Sequence, residues 1–422
     1  MKITILNGNP RPSALDDYLA ELVSQLASTG GSVTQLDLRD LPLRYCIGCW
    51  GCWVKTPGEC SSRDASLEMD RAVINADFVL WAAPLKMGFP SELLKRAMDK
   101  HLPLIHPYMV LDQGEAHHLR RYPRAPRFGL LLETETATDA PDLEIISDIF
   151  CRTALNFKSR LEFSLTTQTP AGELAQHVLA DKPDPLPLPQ RLAPTRGVTV
   201  RPPQSLTLFN GSPRGRKGNT PIFLREIAAG FGGPTQTHHL NRIHETDRLV
   251  AAFAEAECII FGFPLYTDAM PGFVKRFIEA LEPLVGRDQN PPLGFVVQSG
   301  FPEGLHSRYI ERYLEKLAAR LQAPYLGTVV KGNGEGVRVM PDDANRRLFT
   351  NLQAIGRGLS EKGAYDPAVL RDIARPERYH PILAPLLRVF LLLPIAHSYF
   401  DGMLKKNEVY ERRFARPFLK EP

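Results

Sequence analysis

The sequence predicts an α/β protein with two doubly wound, parallel-sheet domains in tandem. Three observations lead to this fold class. The chain of 422 residues is too long for one ordinary core. Two stretches of the first half reappear in the same order in the second half. Short apolar runs alternate with amphipathic helical patterns, which is typical of parallel strands covered on both faces.

Two pairs of segments indicate a duplication. "ITILNGNPR" at residues 3–11 matches "LTLFNGSPR" at 206–214, and both end an apolar run in Asn-Gly-x-Pro-Arg. "ADFVLWAAPLKMGFPSELLKRAMD" at 76–99 aligns without a gap with "AECIIFGFPLYTDAMPGFVKRFIE" at 256–279. Because both pairs occur in the same order, we predict two copies of one domain.

Composition marks the boundary between the two copies. Residues 181–203 contain seven prolines and show neither a helical nor a strand period, which is typical of a stiff, extended linker. We therefore predict a first domain, a proline-rich linker, a second domain and a carboxyl-terminal extension that is apolar and then basic, with boundaries at 1–180, 181–204, 205–365 and 366–422.

Strands and helices alternate in the second half. The predicted strands are the apolar runs "SLTLFN", "ECIIFGF", "PLGFVVQSG" and "YLGTVVKG". The amphipathic segments between them are predicted helices: "NTPIFLREIAAGF", "PGFVKRFIEAL" and "HSRYIERYLEKLAARL". The first half follows the same order, with "RFGLLLET" as its fourth strand. Ligands of such sheets bind at the carboxyl ends of the strands, where the strand order reverses.

Composition and charge argue against several classes of protein. A net charge of +4 is small for this length and disfavours a dedicated nucleic-acid-binding protein. The start "MKITILNGNP" lacks the features of a secretory leader, so we expect a cytoplasmic protein. The apolar stretch "PILAPLLRVFLLLPIAHSYF" contains Arg388 and two internal prolines, and a spanning helix needs about 20 apolar residues. We therefore expect no transmembrane helix.

The loop "NGSPRGRKGNT" has the composition of an anion site. Its glycines allow tight turns, Ser212, Asn219 and Thr220 supply side-chain donors, and Arg214 adds positive charge. Backbone N–H groups and a helix amino terminus complete such a site. The glycine spacing fits neither a dinucleotide fingerprint nor a Walker loop, so a single terminal phosphate is the expected ligand. A polar surface turn that caps a helix explains this loop alone equally well.

Two further loops follow strands of the same domain. The first contains Pro264 and Tyr266, and the aromatic face and polar tip of Tyr266 suit a position beside a flat ring system. The alternative is that Tyr266 only covers the core. The second loop, "QSGFPEG", contains Ser299 and Gly300 and lies where it meets the edge of the same ligand. Together the three loops predict a ligand with a phosphate and a planar ring.

These motifs resemble the flavodoxin-like superfamily of NAD(P)H-dependent FMN reductases and quinone reductases, whose pattern is Gly-Ser-Pro-Arg with a later Asn-Thr, then Pro-x-Tyr with a later Pro-x-x-x-Lys. The resemblance implies two tandem flavodoxin-like domains with FMN as cofactor. It implies a phosphate site and a ring site made of these residues: Ser212, Arg214, Asn219, Thr220, Pro264, Leu265, Tyr266, Ser299 and Gly300.

The first domain departs from this pattern. Asn9 replaces the serine of the loop, the Asn-Thr pair is missing, and Lys86 stands where Tyr266 stands in the second domain. Ser13 still offers a hydroxyl to a phosphate. We therefore expect FMN in the second domain and leave a second FMN in the first domain open.

Four cysteines lie within "CIGCWGCWVKTPGEC", in a C-x2-C-x2-C-x7-C spacing: Cys46, Cys49, Cys52 and Cys60. Such compact spacing lets one loop wrap a cubane cluster, which needs four thiolates. The segment resembles that of the iron–sulfur flavoproteins, a branch of the same superfamily, and this implies a [4Fe–4S] cluster. Zinc, or a structural or redox-active loop without metal, are the alternatives.

The resemblance implies an FMN-dependent oxidoreductase that transfers electrons from NAD(P)H to a quinone-like, flavin or other small-molecule acceptor. No general acid or base is assignable from the sequence, and hydride transfer does not need one. An iron–sulfur flavoprotein electron carrier that works with a ferredoxin-type partner is one alternative, and a flavin-less binding scaffold is another. We also expect a homo-oligomer, whose apolar and basic tail packs on its own domain or on a dimer partner rather than on a membrane surface.

Overall fold

The computed structural model describes residues 1–181, 184–187 and 192–419 and divides the chain into two compact units. The first unit comprises Met1–Pro189 and His380–Pro422, and the second comprises Gln190–Tyr379. Part of the predicted linker lies outside the described residues. The carboxyl-terminal tail joins the first unit, and the repeat pattern of the sequence does not predict this.

The first unit contains eight strands: β1 (Lys2–Asn7), β2 (Ser32–Asp37), β3 (Phe78–Lys86), β4 (Phe89–Pro90), β5 (Ile105–Asp112), β6 (Glu115–Arg120), β7 (Arg127–Glu133) and β8 (Leu161–Thr166). Its first six helices are α1 (Ala14–Ser28), α2 (Gly51–Val54), α3 (Ser66–Ile74), α4 (Glu92–Asp99), α5 (Ala140–Asn156) and α6 (Ala171–Leu179). The main sheet has the parallel order β2-β1-β3-β7-β8, with β4 antiparallel to β3. Strands β5 and β6 form a separate hairpin.

The second unit contains five strands: β9 (Leu206–Asn210), β10 (Thr235–His239), β11 (Ile259–Pro264), β12 (Leu293–Gln298) and β13 (Tyr325–Lys331). Its helices are α7 (Thr220–Phe231), α8 (Thr246–Ala254), α9 (Gly272–Ala280), α10 (Arg308–Arg320), α11 (Asp342–Lys362) and α12 (Pro367–Ile373). The sheet is parallel throughout, in the order β10-β9-β11-β12-β13. Each unit thus has the strand order 2-1-3-4-5 of flavodoxin-like sheets, which confirms the predicted fold class.

The sequence explains why the second sheet is covered on both faces. Every residue of β11 is buried, as expected for a central parallel strand. Helix α7 packs its apolar side against the sheet, and α11 packs on α7 at close range. A Cβ atom on Gly230 of α7 would lie 1.9 Å from the carbonyl oxygen of Gln353, so glycine is required for this approach.

Matching details of the two units are consistent with duplication. Lys95 in α4 pairs with Asp99, and Lys275 in α9 pairs with Glu279, each one helical turn later. Both lysines are buried, so each needs a carboxylate partner. These residues occupy equivalent positions in the aligned segments.

The tail forms two helices, α13 (Ala384–Leu392) and α14 (Pro394–Lys406), and its end returns to the first unit, where Phe418 is buried. By length and composition alone, Pro381–Lys406 is apolar enough to cross a membrane, which is weak evidence by itself, and none of its apolar window is buried. Most side chains between residues 382 and 395 are exposed, and packing of this segment on a dimer partner stays a prediction.

Candidate functional site

The structure brings the three predicted loops to one edge of the second sheet. Strands β9, β11 and β12 run parallel, so the loops that follow them begin at the same edge. Pro264 at the end of β11 pairs with Gln298 at the end of β12, and the Leu265 N–H donates to the Gln298 carbonyl oxygen at 2.8 Å. This edge is where the order of the strands reverses and where such sheets bind ligands.

The first loop is held in shape by Asn210, the last residue of β9. Its side-chain amide donates to the Gly215 carbonyl oxygen at 3.1 Å, and its side-chain oxygen accepts from the Ser212 N–H at 3.0 Å. A Cβ atom on Gly218 would lie 2.0 Å from the Ser212 hydroxyl oxygen. The loop is thus folded tightly against itself, with Ser212 buried. Sequence reasoning did not assign Asn210 to the site, although the asparagine occurs in both repeated motifs.

A carboxylate lies between the polar side chains of this loop. Glu335 accepts a hydrogen bond from Arg214 Nη1 and another from Asn219 Nδ2, both at 2.9 Å. It belongs to a short helical turn, Gly334–Arg338, that follows β13. Two donors of the predicted phosphate loop therefore converge on the oxygens of one anionic group. No motif in the sequence identifies Glu335.

The same loop holds two buried polar atoms without a hydrogen-bond partner in the part of the chain that the structure describes. These are Thr220 Oγ1 and Asn219 Oδ1, at the amino terminus of α7. Buried polar groups in proteins are almost always paired, so such atoms indicate a missing ligand or water. With the donors of Arg214 and Asn219, the loop fits the phosphate of FMN, provided that Glu335 moves away.

The loop after β11 makes a tight turn between Tyr266 and Ala269, which exchange backbone hydrogen bonds of 2.8 and 3.0 Å. Thr267 and Asp268 have φ angles of 44° and 58°, as in a type I′ turn. A β-branched threonine in this conformation is strained, and such strain is frequent at ligand sites. Tyr266 is half-buried at the start of this turn.

The loop after β12 offers open space beside the sheet. Gly300 is exposed, and a Cβ atom on it would meet nothing within 4 Å. Its neighbour Ser299 is buried, and the Ser299 hydroxyl donates to the Phe301 carbonyl oxygen at 3.3 Å. A ligand can therefore approach the backbone at Gly300, whereas the side chain of Ser299 is buried.

In the first domain, a carboxylate fills the equivalent loop. Asp16, in the first turn of α1, accepts hydrogen bonds from the side chains of Asn9 and Arg39 and from the Ser13 N–H. Partial burial opposes its ionisation, but these hydrogen bonds outweigh the burial and lower the pKa of Asp16. The donors that a phosphate would use are thus bound to an ionised side chain of the same loop.

Glu133 adds a second carboxyl group beside the first-domain loop. Burial, together with the neighbouring Asp16 carboxylate, raises the pKa of Glu133. The Asp16 carboxylate already disfavours ionisation of Glu133 beside this loop, and the same repulsion disfavours a dianionic phosphate there. The first-domain loop therefore does not fit FMN as the second-domain loop does.

The four cysteines lie on the loop between β2 and α3, in different surroundings. Cys52 is buried in an apolar cluster around Trp53, whereas Cys49 is exposed. The thiol of Cys60 accepts a hydrogen bond from Lys100 Nζ at 3.0 Å. Burial alone would lower the pKa of Lys100, but its contacts with Cys60 and a nearby carboxylate raise it.

The loop does not fit a cluster in this arrangement. Burial raises the pKa of the Cys46 thiol to about 12 and that of the Cys52 thiol well above its usual value, so metal binding would have to release both protons. Within residues 1–181, 184–187 and 192–419, no three His, Cys, Asp or Glu side chains lie close enough together to hold a metal ion. The predicted [4Fe–4S] cluster therefore stays a prediction.

Comparison with known proteins identifies sequences similar to part of this chain. A sequence model of the family described as NADPH-dependent FMN reductase matches residues 1–112. An iron–sulfur flavoprotein of Methanocaldococcus jannaschii is 32% identical over 105 residues, which cover 25% of this chain and 53% of that protein. An iron–sulfur flavoprotein of Archaeoglobus fulgidus is 30% identical over 107 residues, which cover 25% of this chain and 48% of that protein. The chain thus spans about half the length of these relatives.

Solved structures with a similar sheet were also found. An NADPH-quinone reductase of P. pentosaceus is 19% identical, with a TM-score of 0.30 over 36% of this chain and 95% of its own. An NADH:FMN oxidoreductase in its apo form is 17% identical, with a TM-score of 0.30 over 43% of this chain and 98% of its own. The family match covers residues 1–112 of this chain. That stretch is similar in sequence to the NADPH-dependent FMN reductase family.

Proposed function

We propose that the chain is an FMN-dependent oxidoreductase that binds FMN in its second domain. The observation that carries this proposal is the convergence of Arg214 and Asn219 on the two oxygens of Glu335, at the amino terminus of α7. A helix amino terminus with converging donors favours a phosphate. The family of the first domain supplies the chemistry, because its members are described as NADPH-dependent FMN reductases.

In this proposal the phosphate of FMN replaces the Glu335 carboxylate. Arg214 and Asn219 donate to it, the Thr220 hydroxyl and the loop N–H groups complete its hydrogen bonds, and Ser212 supports the loop. Pro264, Leu265 and Tyr266 flank one side of the isoalloxazine, while Ser299 and Gly300 meet its edge. Bound FMN supplies the hydride and electron transfer; the protein orients the ring and excludes water from it.

We infer the electron donor and the electron acceptor from the family match, because no sequence motif identifies either of them. We infer a reduced nicotinamide as donor, because the matching family is described as NADPH-dependent. We infer a small-molecule acceptor such as a quinone or a free flavin. The exposed backbone at Gly300 leaves the ring edge open to both.

Cofactor analysis of the purified protein tests this function. We expect FMN in the protein, and bleaching of its absorption when NADPH or NADH is added without oxygen. Rapid return of the colour when a quinone is added would identify an acceptor. Protein that takes up no FMN from solution would overturn the proposal.

A second candidate is an iron–sulfur flavoprotein that carries electrons to a ferredoxin-type partner. It is favoured by the four cysteines within residues 46–60, which lie inside the segment that matches the family. This function requires the loop to rearrange so that four thiolates meet. Four irons per chain after anaerobic reconstitution, and reduction by ferredoxin but not by NADPH, would favour it over the first candidate. Absence of iron would exclude it.

A further inference from the structure

The tail of the first unit carries a large exposed apolar surface. Among the described residues, seventeen large apolar side chains are exposed, and nine of them lie between residues 382 and 399. We call these nine the tail patch: Ile382, Leu383, Leu386, Val389, Phe390, Leu392, Leu393, Ile395 and Tyr399. Their exposed fractions run from 42% to 76%. Single exposed apolar residues are ordinary, but a concentration of this kind marks an interaction surface.

Positive charge borders the tail patch. Residues 381–400 contain Arg388 and neither aspartate nor glutamate. Lys405 and Lys406 follow at the end of α14, and both are exposed. Residues 381–419 hold six Lys and Arg against three Asp and Glu, a net charge of +3. An apolar surface with a basic border complements an anionic lipid surface.

Neither helix of the tail is long enough to cross a bilayer by itself. Helix α13 has nine residues and α14 has thirteen. At about 1.5 Å per residue they are roughly 14 and 20 Å long, whereas the apolar core of a bilayer is about 30 Å thick. Leu393 between them is extended, so they do not continue as one helix.

Both helices are also anchored to the same unit. Helix α13 contacts β5. In α14, Phe400 packs against Trp50 and Trp53 at ring distances of 5.5 and 5.7 Å. Asp401 accepts a hydrogen bond from the Tyr108 hydroxyl at 2.6 Å. Because both helices contact this unit, the segment does not place its two ends on opposite sides of a bilayer.

We propose that the tail patch docks the first unit on the surface of an anionic bilayer. The tip around Leu392, Leu393 and Ile395 enters the interface, and Lys405 and Lys406 meet the lipid headgroups. A second copy of the chain is a poorer occupant, because a two-fold contact would bring two surfaces of the same positive charge together. The proposal takes the alternative that the sequence analysis disfavoured, a membrane surface, and it is independent of the flavin site.

Vesicle flotation of the full chain tests the proposal. We expect the protein to float with vesicles of phosphatidylcholine and phosphatidylglycerol, to bind neutral phosphatidylcholine vesicles much less, and to bind less at high salt. For the triple variant Leu386→Ser, Val389→Ser, Leu392→Ser, we expect the affinity for anionic vesicles to fall by about tenfold or more. Its matched control is Val198→Ser, Val285→Ser, which alters exposed valines outside the patch.

Several results would overturn the proposal. One is that the wild-type protein does not float with anionic vesicles at low salt. Another is that the triple variant floats as well as its control. Equal flotation with neutral vesicles would remove the role of charge. Sedimentation that shows a dimer, dissolved by the triple variant while no vesicle binding occurs, would assign the patch to a second copy. Thermal unfolding of each variant verifies that its fold is kept, as expected for substitutions of exposed residues.

Discussion

At the scale of single residues, Glu335 occupies the position that we propose for the phosphate of FMN. Its carboxylate holds Arg214 and Asn219 and is also 3.0 Å from Arg338. An incoming phosphate must displace this carboxylate, so part of its binding free energy is lost in breaking these contacts. Glu335 thereby lowers the affinity of the site and keeps its donors paired when no cofactor is bound.

The variant Glu335→Gln tests this competition. Glutamine removes the negative charge at nearly constant size, so we expect the dissociation constant of FMN to fall by about tenfold, or roughly 1.4 kcal/mol. Quenching of FMN fluorescence on titration measures this change. The control is Glu255→Gln, which removes the same charge from an exposed position in the same unit. An unchanged or higher dissociation constant in Glu335→Gln would show that the carboxylate does not compete with FMN.

The surroundings of Glu162 on β8 predict how the free energy of unfolding depends on pH. Its Oε2 is buried without a hydrogen-bond partner in the described part of the chain, and Arg127 Nε lies 3.4 Å from Oε1. Burial, partly offset by Arg127, raises the pKa of Glu162 to about 6. Because the pKa is higher in the folded state, ionised Glu162 lowers the free energy of unfolding above about pH 6. This loss of stability disappears as the pH falls from 6 to below the pKa of the unfolded state.

We therefore expect Glu162→Gln to raise the free energy of unfolding by about 1 kcal/mol at pH 7.5. The gain should vanish at about pH 3, below the ordinary glutamate pKa of 4.5, where the carboxyl group is protonated in both states. Urea unfolding at the two pH values measures both differences. Glu173→Gln, an exposed change in α6, serves as the control. A loss of stability at pH 7.5 would show that the ion pair with Arg127 outweighs the cost of burial.

At the scale of elements, alanine variants of two glycines test two parts of the proposed FMN site. Gly218 tests the shape of the phosphate loop, and Gly300 tests the space beside the flavin ring. In Gly218→Ala, the new Cβ would lie 2.0 Å from the Ser212 hydroxyl oxygen, so the loop must shift. We expect FMN affinity to fall by about tenfold or more. In Gly300→Ala, the methyl group meets no protein atom within 4 Å, so the protein keeps its stability while the ring edge is obstructed.

Fluorescence titration and thermal unfolding together separate these effects. Gly218→Ala should weaken FMN binding through the loop, and Gly300→Ala should weaken it with no change in melting temperature. Gly172→Ala is the control, because its methyl group also meets nothing within 4 Å but lies in α6 of the first unit. Normal FMN affinity in both site variants would contradict the proposed position of the cofactor.

Most elements of the second sheet were predictable because their signals are local. Strands β11 and β12 are short runs of residues buried on both faces. The edge strand β10, whose residues are exposed or half-buried, was not predicted. The anion loop was predictable because glycines, polar residues and a helix start follow one another in the sequence. Such features depend on neighbours along the chain, so they can be read without coordinates.

Other features depend on contacts between distant residues, and the sequence did not reveal them. Glu335 is separated from Arg214 by 121 positions, and nothing near it forms a motif. The hairpin of β5 and β6 lacks the helical neighbours that identify the other strands. The tail was expected to pack away from solvent because of its apolar composition, but composition alone does not say whether a surface is available to cover it.

At the scale of the whole molecule, the two flavodoxin-like units differ in the features they carry. The first unit contains the family match, the cysteine loop and the tail, but Asp16 fills its phosphate loop. The second unit lies beyond the matched residues and contains the arginine, asparagine and threonine of the predicted anion site. One FMN per chain, in the second domain, is the expectation that follows.

The number and place of the bound FMN test this account most directly. Arg214 and Arg11 occupy the same position in the two repeated motifs, so they form a matched pair. Titration of the full chain with FMN should give one site per chain, weakened about tenfold or more by Arg214→Gln and unchanged by Arg11→Gln. Two sites per chain, or a loss of binding in Arg11→Gln but not in Arg214→Gln, would contradict the account.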